Sequence, residues 1–296
     1  MLSLRDDGDG LSGFEYYYYH PSMAAAIVFI ILFGVSTGLH IVQMFRTRTW
    51  FMVPFVIGAI FETIGYIGRA LSAKQNPGPY TLVPYIIQTI LILVAPALFA
   101  ASIYMELGRI VFMLDGDKAL FIRRTWLTRI FVIGDVFSFL LQSSGGGLLA
   151  TGSALGKTLI VVGLFIQLVF FGLFVVAAAL FHMRISKMPT QKCYNLPWWR
   201  RHMLSLYVVS ILILIRSIVR VVEYLQGYTG YIMEHEAFIY IFDGLVMWLA
   251  TMTMNWIHPG EVAREIRSAR TGSGRGVADE EQLHNKDGVR MDYVPV

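Results

Sequence analysis

Seven apolar stretches run in series through this 296-residue chain, at Ser22 to Phe45, Trp50 to Leu71, Thr81 to Leu114, Leu127 to Ala150, Lys157 to His182, Met203 to Leu225 and Ala237 to Ile257. Each reaches the roughly 20 residues a helix needs to cross about 30 Å of hydrocarbon. A soluble fold accommodates one buried helix of this kind, not seven in succession. With 56% hydrophobic and 15% charged residues, the chain is expected to be an all-α, polytopic membrane protein of seven transmembrane helices. The expected organisation is an extracellular segment at 1–21, a seven-helix domain at 22–257 and a cytosolic, largely disordered tail at 258–296.

Orientation follows from Lys and Arg in the short connections, because cytoplasmic loops hold positive charge. One set of connections carries Arg46, Arg48, Lys118, Arg123, Arg124, Arg184, Lys187, Lys192, Arg200, Arg201, Arg264, Arg267 and Arg270, 13 in all, against 3 in the alternate set, Arg5, Lys74 and Lys157. With an odd number of spans, this places the N-terminus outside and the C-terminus in the cytosol. The net charge of +4 is thus a topology signal and no pointer to nucleic acid. The first residues are acidic and aromatic, unlike a cleavable signal peptide. Tyr16 to Tyr19 suit an interfacial aromatic belt, and Pro21 suits the first turn of the first helix. The single cysteine, Cys193, excludes an intramolecular disulfide; a cytosolic loop there leaves palmitoylation open.

Several soluble chemistries fall away. The run Thr151 to Thr158 resembles a phosphate-binding loop, but Thr151 stands where the first glycine belongs and the segment is expected outside the cell. Gly145 to Gly147 reads as a flexible or closely packed helix end. Only His40 of the seven histidines lies well inside a span, which is too few ligands for an intramembrane zinc site. No cofactor or metal is expected.

Ionisable residues inside the spans are more informative, since each costs at least a few kcal/mol at mid-bilayer unless paired or hydrated. At about 1.5 Å per residue, Glu62 lies roughly 14 Å below the outer end of span two, Asp243 roughly 9 Å into span seven, and Arg216 roughly 14 Å into span six. Arg216, Arg220 and Glu223 are spaced i, i+4 and i+7 on one face, and Glu62 and Arg69 share a face of span two. Arg69, Arg216 and Arg220 balance Glu62, Glu223 and Asp243. Two readings are open: a charge network lining a cavity between spans two, six and seven, or buried ion pairs that fix helix packing. Nearer the cytosol, Glu106 and Arg109 are expected to snorkel to the interface. Asp135, on one face with Gln142, suits proton or substrate contact as well as a structural hydrogen bond. Pro96 leaves a carbonyl free in the third span, and Gly34 and Gly38 form a GxxxG step suited to close helix packing.

These residues resemble the fungal RTA-like family, also called lipid-translocating exporters. The likeness rests on Glu62-Thr-Ile-Gly-Tyr-Ile-Gly-Arg69, on Ala95-Pro-Ala97 with Ala100, Ala101, Tyr104 and Leu107-Gly-Arg109, and on Asp135 with Gln142 and Gly145 to Gly147. It continues through Arg216, Arg220, Glu223 and Gly227, then Glu236, Tyr240 and Asp243, then His258-Pro-Gly260, covering about Tyr19 to Gly260. The resemblance implies a plasma-membrane protein that exports or flips sphingoid long-chain bases and contributes to stress or drug resistance, with some relatives linked to porphyrin or haem movement.

The leading expectation is therefore a non-enzymatic transporter of a lipid-like amphiphile, with membrane lipids and the amphiphilic substrate as partners. Glu62, Arg69, Asp135, Gln142, Arg216, Arg220, Glu223 and Asp243 are the candidate substrate contacts. A cationic amine could be held by Glu62, Glu223, Asp243 or Asp135 while its tail stays in lipid. The alternative is a seven-helix receptor or sensor for a lipid-like ligand, favoured by the N-out topology and the basic cytosolic loops. A lipid-modifying enzyme lacks both the histidines and a nucleophile motif.

Overall fold

A computed structural model describes residues 20–75, 80–120, 123–150, 153–226 and 230–268, and no strand occurs among them. The helices are α1 (Met23–Thr47), α2 (Val53–Ala73), α3 (Leu82–Met113), α4 (Arg124–Ala150), α5 (Ala154–Lys187), the short α6 (Gln191–Asn195), α7 (Trp199–Gln226), the single turn α8 (Tyr231–Glu234) and α9 (Val246–Trp256). Among the described residues, six segments are long and apolar enough to cross a membrane: Met23–Thr47, Trp50–Ala73, Leu82–Met113, Trp126–Leu148, Leu155–Lys187 and Trp199–Gln226. The seventh apolar stretch is also helical, from 237 to 256, but Ile239–Leu245 is wound as a π-helix whose closing bond runs from the Val246 N–H to the Ile241 carbonyl. That wider turn divides it into two shorter pieces. The tyrosine run Tyr16 to Tyr19, Thr151 and Gly152, Gly227 and the tail from Gly272 lie outside the described residues.

Chain order largely dictates the packing. Each of α1 to α4 lies against the next helix, α5 lies on α7, α7 on α9, and α9 returns to α1, while α3 also touches α7. The faces are reversed relative to a soluble bundle. Val35, Ile133 and Val169 are 61%, 66% and 56% exposed, whereas Glu62, Arg69 and Glu106 are 0% exposed. Outward apolar side chains need no partner where the solvent is lipid, and inward polar groups find partners in the bundle interior.

Glycines set two close seams. A Cβ added at Gly58 would stand 2.9 Å from the Ala95 carbonyl oxygen, and at Gly68 3.0 Å from that of Pro84, so α2 and α3 approach backbone to backbone. On α4, a Cβ at Gly145 would stand 2.7 Å from the Gly156 carbonyl of α5, while Gly146 and Gly147 have open space. Gly34 and Gly38 also meet nothing within 4 Å, so the GxxxG step expected to pack α1 against a neighbouring helix faces outward instead. Pro21 likewise lies outside the first helical turn: Ser22 is the N-cap of α1, its hydroxyl accepting from Ala25 N–H.

The chain past α9 folds back under the bundle. Residues 260–268 are helical, and Val262, Ala263 and Ile266 join the buried core. His258 pins this return, its Nε2 lying 3.1 Å from both the Thr47 and Thr49 hydroxyls. Burial, with His202 nearby, pushes the His258 imidazole down to about 4. The folded state therefore favours the neutral ring, and its stabilisation is complete above the unfolded value near 6.5 and is lost as pH falls toward 4. Melting of the purified protein at pH 7.5 and pH 4.5 should show a drop in Tm that His258→Gln, which keeps a hydrogen-bonding side chain, makes smaller. An equal drop in both proteins would remove His258 from the acid response.

Candidate functional site

Asp243 is the hub of a buried charge network. The π-turn re-aims side chains by one extra residue, a device recurrent at functional sites, and it brings Asp243 against α7. Asp243 Oδ1 lies 2.8 Å from Arg216 Nε and accepts from Arg220 Nε at 3.1 Å, while Oδ2 lies 2.7 Å from Arg220 Nη2. The Arg220 contact is thus a two-pronged fork. Arg220 Nη1 also donates to Glu223 Oε2 at 3.0 Å. The helical spacing explains why: residues 216, 220 and 223 fall on one face of α7, which is turned toward the π-turn.

Arg216 has a second task. Proline at 96 has no N–H to offer the carbonyl four residues back, and that carbonyl, of Ile92, accepts from Arg216 Nη2 at 2.8 Å. The gap in the α3 hydrogen-bond ladder is filled from α7. This ties α3, α7 and the π-turn together through one guanidinium.

Two cations and two carboxylates satisfy one another here, which leaves Glu62. It is 0% exposed, the charges acting on it are Arg216, Asp243 and Arg220, and neither carboxyl oxygen has a hydrogen-bond partner among the described residues. One turn along α2, the buried Tyr66 hydroxyl is equally unpartnered. Its ring stacks on Phe29 and Phe33, at centroid separations of 5.2 and 5.6 Å. Gly244 makes this possible, since a Cβ there would stand 2.6 Å from Phe29 and 2.8 Å from the Tyr66 hydroxyl.

Arg69, expected in the same network as Glu62, belongs to another. Its Nη2 pairs with Glu236 Oε1 at 2.7 Å, its Nε donates to the Tyr240 hydroxyl at 2.8 Å, and its guanidinium sits over the Tyr240 ring. Glu236 also accepts from the Ser22 N–H at 2.7 Å, and the Tyr240 hydroxyl donates to the Ser22 carbonyl at 3.1 Å. This lock holds the start of α1 to α2 and to the start of the last helix. Glu236 is absent from the candidate contacts because hydropathy starts the last span at Ala237, and Tyr240, inside that span, because only charged and amide side chains are weighed there. Their i, i+4 spacing, continued to Asp243 at i+7, was the available signal.

A third polar group lies between α3, α4 and α5. The Tyr104 hydroxyl donates to Asp135 Oδ2 at 2.8 Å, and Gln142 Nε2 donates to Gln167 Oε1 at 3.0 Å. Asp135, Gln142 and Gln167 are all buried. Gln167 was not foreseen, being a lone amide in an otherwise apolar span. Glu106 does not snorkel: it is 0% exposed, while Arg109 stacks its guanidinium 4.3 Å from the centre of the Phe51 ring. His202, which hydropathy leaves in a loop, is also fully buried, and Cys193, 3.3 Å from the Thr190 hydroxyl, is largely buried.

A family profile described as RTA1 like protein matches residues 55–266, a span that holds the charged side chains of all three polar groups and most of the returning helix. Protein RTA1 of Saccharomyces cerevisiae is 40% identical over 267 residues, covering 81% of this chain and 83% of that protein. Protoporphyrin uptake protein 1 of the same organism is 39% identical over 285 residues, covering 82% and 92%. Sphingoid long-chain base transporter RSB1, also of S. cerevisiae, is 25% identical over 307 residues, covering 91% and 79%. No solved structure matches the chain. Its apolar helices and these relatives make it a multi-pass membrane protein, and it belongs to the RTA1-like family.

Proposed function

We propose that this protein is a transporter that moves a cationic lipid-like amphiphile, of the sphingoid long-chain base class, across the plasma membrane and so contributes to resistance against toxic lipids. The observation that carries the reading is the unpaired Glu62. A carboxyl fully buried beside a charge network that is already balanced is a costly feature for a purely structural element. An amine on an apolar tail would supply its missing charge and donors, while Arg216, Arg220, Glu223 and Asp243 keep the surrounding charge neutral and fixed. In this reading Arg69 guards the outer end, and Asp135 with Gln142 offers polar contacts at a second place. Residues 237–256 form the seventh span, with the N-terminus outside and the C-terminus in the cytosol.

The test is a liposome assay with a labelled sphingoid base placed in one leaflet. Loss of one charge-assisted contact of about 1.5–3 kcal/mol should slow protein-dependent movement about 10- to 100-fold in Glu62→Gln, with folded protein retained. Binding without protein-dependent movement would make the protein a sensor instead. A porphyrin is the second reading, favoured by the higher identity to the relative named for protoporphyrin uptake, 39% against 25%. Its carboxylates would be repelled by Glu62, so Glu62→Gln should then leave porphyrin movement unchanged or faster.

A further inference from the structure

At the end of the bundle where the chain returns, three ionisable side chains from three segments form a line from the surface to the interior. Glu261, on the returning helix, has a side chain 44% exposed, and its Oε2 lies 3.2 Å from His202 Nε2. His202 on α7 is buried, and its other ring nitrogen, Nδ1, lies 3.8 Å from Glu106 Oε1 on α3. Glu106 is 0% exposed, and neither its two oxygens nor His202 Nδ1 has a hydrogen-bond partner among the described residues. The other charged and titratable neighbours are accounted for. Arg201 Nη2 pairs with Glu261 at 3.2 Å, His258 is held by Thr47 and Thr49, and Arg109, one turn along α3, lies over Phe51.

An imidazole is suited to this position because its two nitrogens can take a proton on one side and release it on the other. Chains of carboxylates and histidines serve as proton relays in membrane proteins. Here one nitrogen faces an exposed carboxylate and the other faces a buried carboxyl with no partner of its own. Charging Glu106 without a counter-ion in an apolar interior costs several kcal/mol, whereas the neutral acid costs far less. We infer that Glu106 is a proton-binding site, loaded and unloaded from the C-terminal end of the bundle through His202 and Glu261. Proton transfer across the 3.8 Å gap requires the ring or the carboxyl to rotate into hydrogen-bond distance. Glu106 lies 14 residues beyond Ile92 on α3, about 21 Å along the helix, so the proton site and the Arg216 network are separate places joined by one helix with Pro96 between them.

That the proton drives movement of the amphiphile rests on the transporter reading; that Glu106 binds it does not. The two are separated by measuring them apart. In full-length protein in liposomes, stepping the pH should produce an infrared carboxyl band that Glu106→Gln removes. His202→Phe should keep the band but slow its appearance about 100-fold, the usual scale for removing a positioned proton-transfer group. Absence of such a band in the wild type, its persistence in Glu106→Gln, or an unchanged rate in His202→Phe would each overturn the site or the route. If Glu106→Gln fails to fold, the His202→Phe rate and a Glu261→Gln variant, whose target is at the surface, carry the same test. In the flux assay, one unit of imposed pH difference should drive about tenfold accumulation of the labelled base per coupled proton, and Glu106→Gln should abolish the response while downhill movement continues. An absence of any movement with an intact infrared band would sink the transporter reading and leave the proton site standing.

Discussion

Asp243→Ala should lose about 3–5 kcal/mol of stability, the cost of leaving buried charges without their partner. Asp243 is the only acid that engages both Arg216 and Arg220 among the described residues, and Arg216 is 2% exposed, so its guanidinium cannot turn to water. Glu223 would retain Arg220, but Arg216 would keep only the Ile92 carbonyl as a hydrogen-bond partner, with Glu62 and Glu223 acting on it from beyond contact. The measurement is the fraction of monodisperse protein against temperature in mild detergent. Because removing both partners of a buried pair is much less harmful than removing one, Arg216→Leu combined with Asp243→Leu should recover a large part of the loss. If Asp243→Ala melts with the wild type, the network is not what holds α7 to the last helix.

How far such a site can be read from sequence depends on what each signal reports. Hydropathy placed Glu62, Arg216, Arg220, Glu223 and Asp243 in one slab, and helical spacing put residues 216, 220 and 223 on one face, so the gathering of these side chains was legible. Periodicity says which residues share a face, not which neighbour that face meets. For this reason Arg69 was grouped with Glu62 when its partners are Glu236 and Tyr240. The carbonyl orphaned by Pro96 could be foreseen from the missing N–H, but its recipient, Arg216, could not, since α3 and α7 are 124 residues apart at that contact. The π-turn carries no sequence signature of its own. His202 and Glu236 were set outside the spans because hydropathy windows end where charge density rises, and buried polar residues near a span's end shift that boundary inward.

Glycine spacing misled in the same way, and its correction gives a second large effect. Gly58→Val should destabilise the protein by about 3 kcal/mol or more, while Gly34→Val should be neutral or gain a few tenths. Valine is a slightly better helix former than glycine, so open space rewards the change; only a collision reverses its sign. At Gly34 nothing stands within 4 Å, whereas at Gly58 the first added carbon already meets Phe99 Cε1 at 2.8 Å and the Ala95 carbonyl at 2.9 Å. Phe99 is buried and cannot swing away, and a backbone oxygen yields only if α3 moves bodily. Ile92 and Ala95 are i and i+3 on α3, so that movement would also pull the Ile92 carbonyl from Arg216. Two readouts should therefore fall together in Gly58→Val, the melting temperature and, if the proposed function holds, the rate of movement in the liposome assay. A Gly58→Val protein that melts normally would show that the α2–α3 seam is looser than its backbone distances imply, and a loss of movement without a loss of stability would place the defect in the path itself.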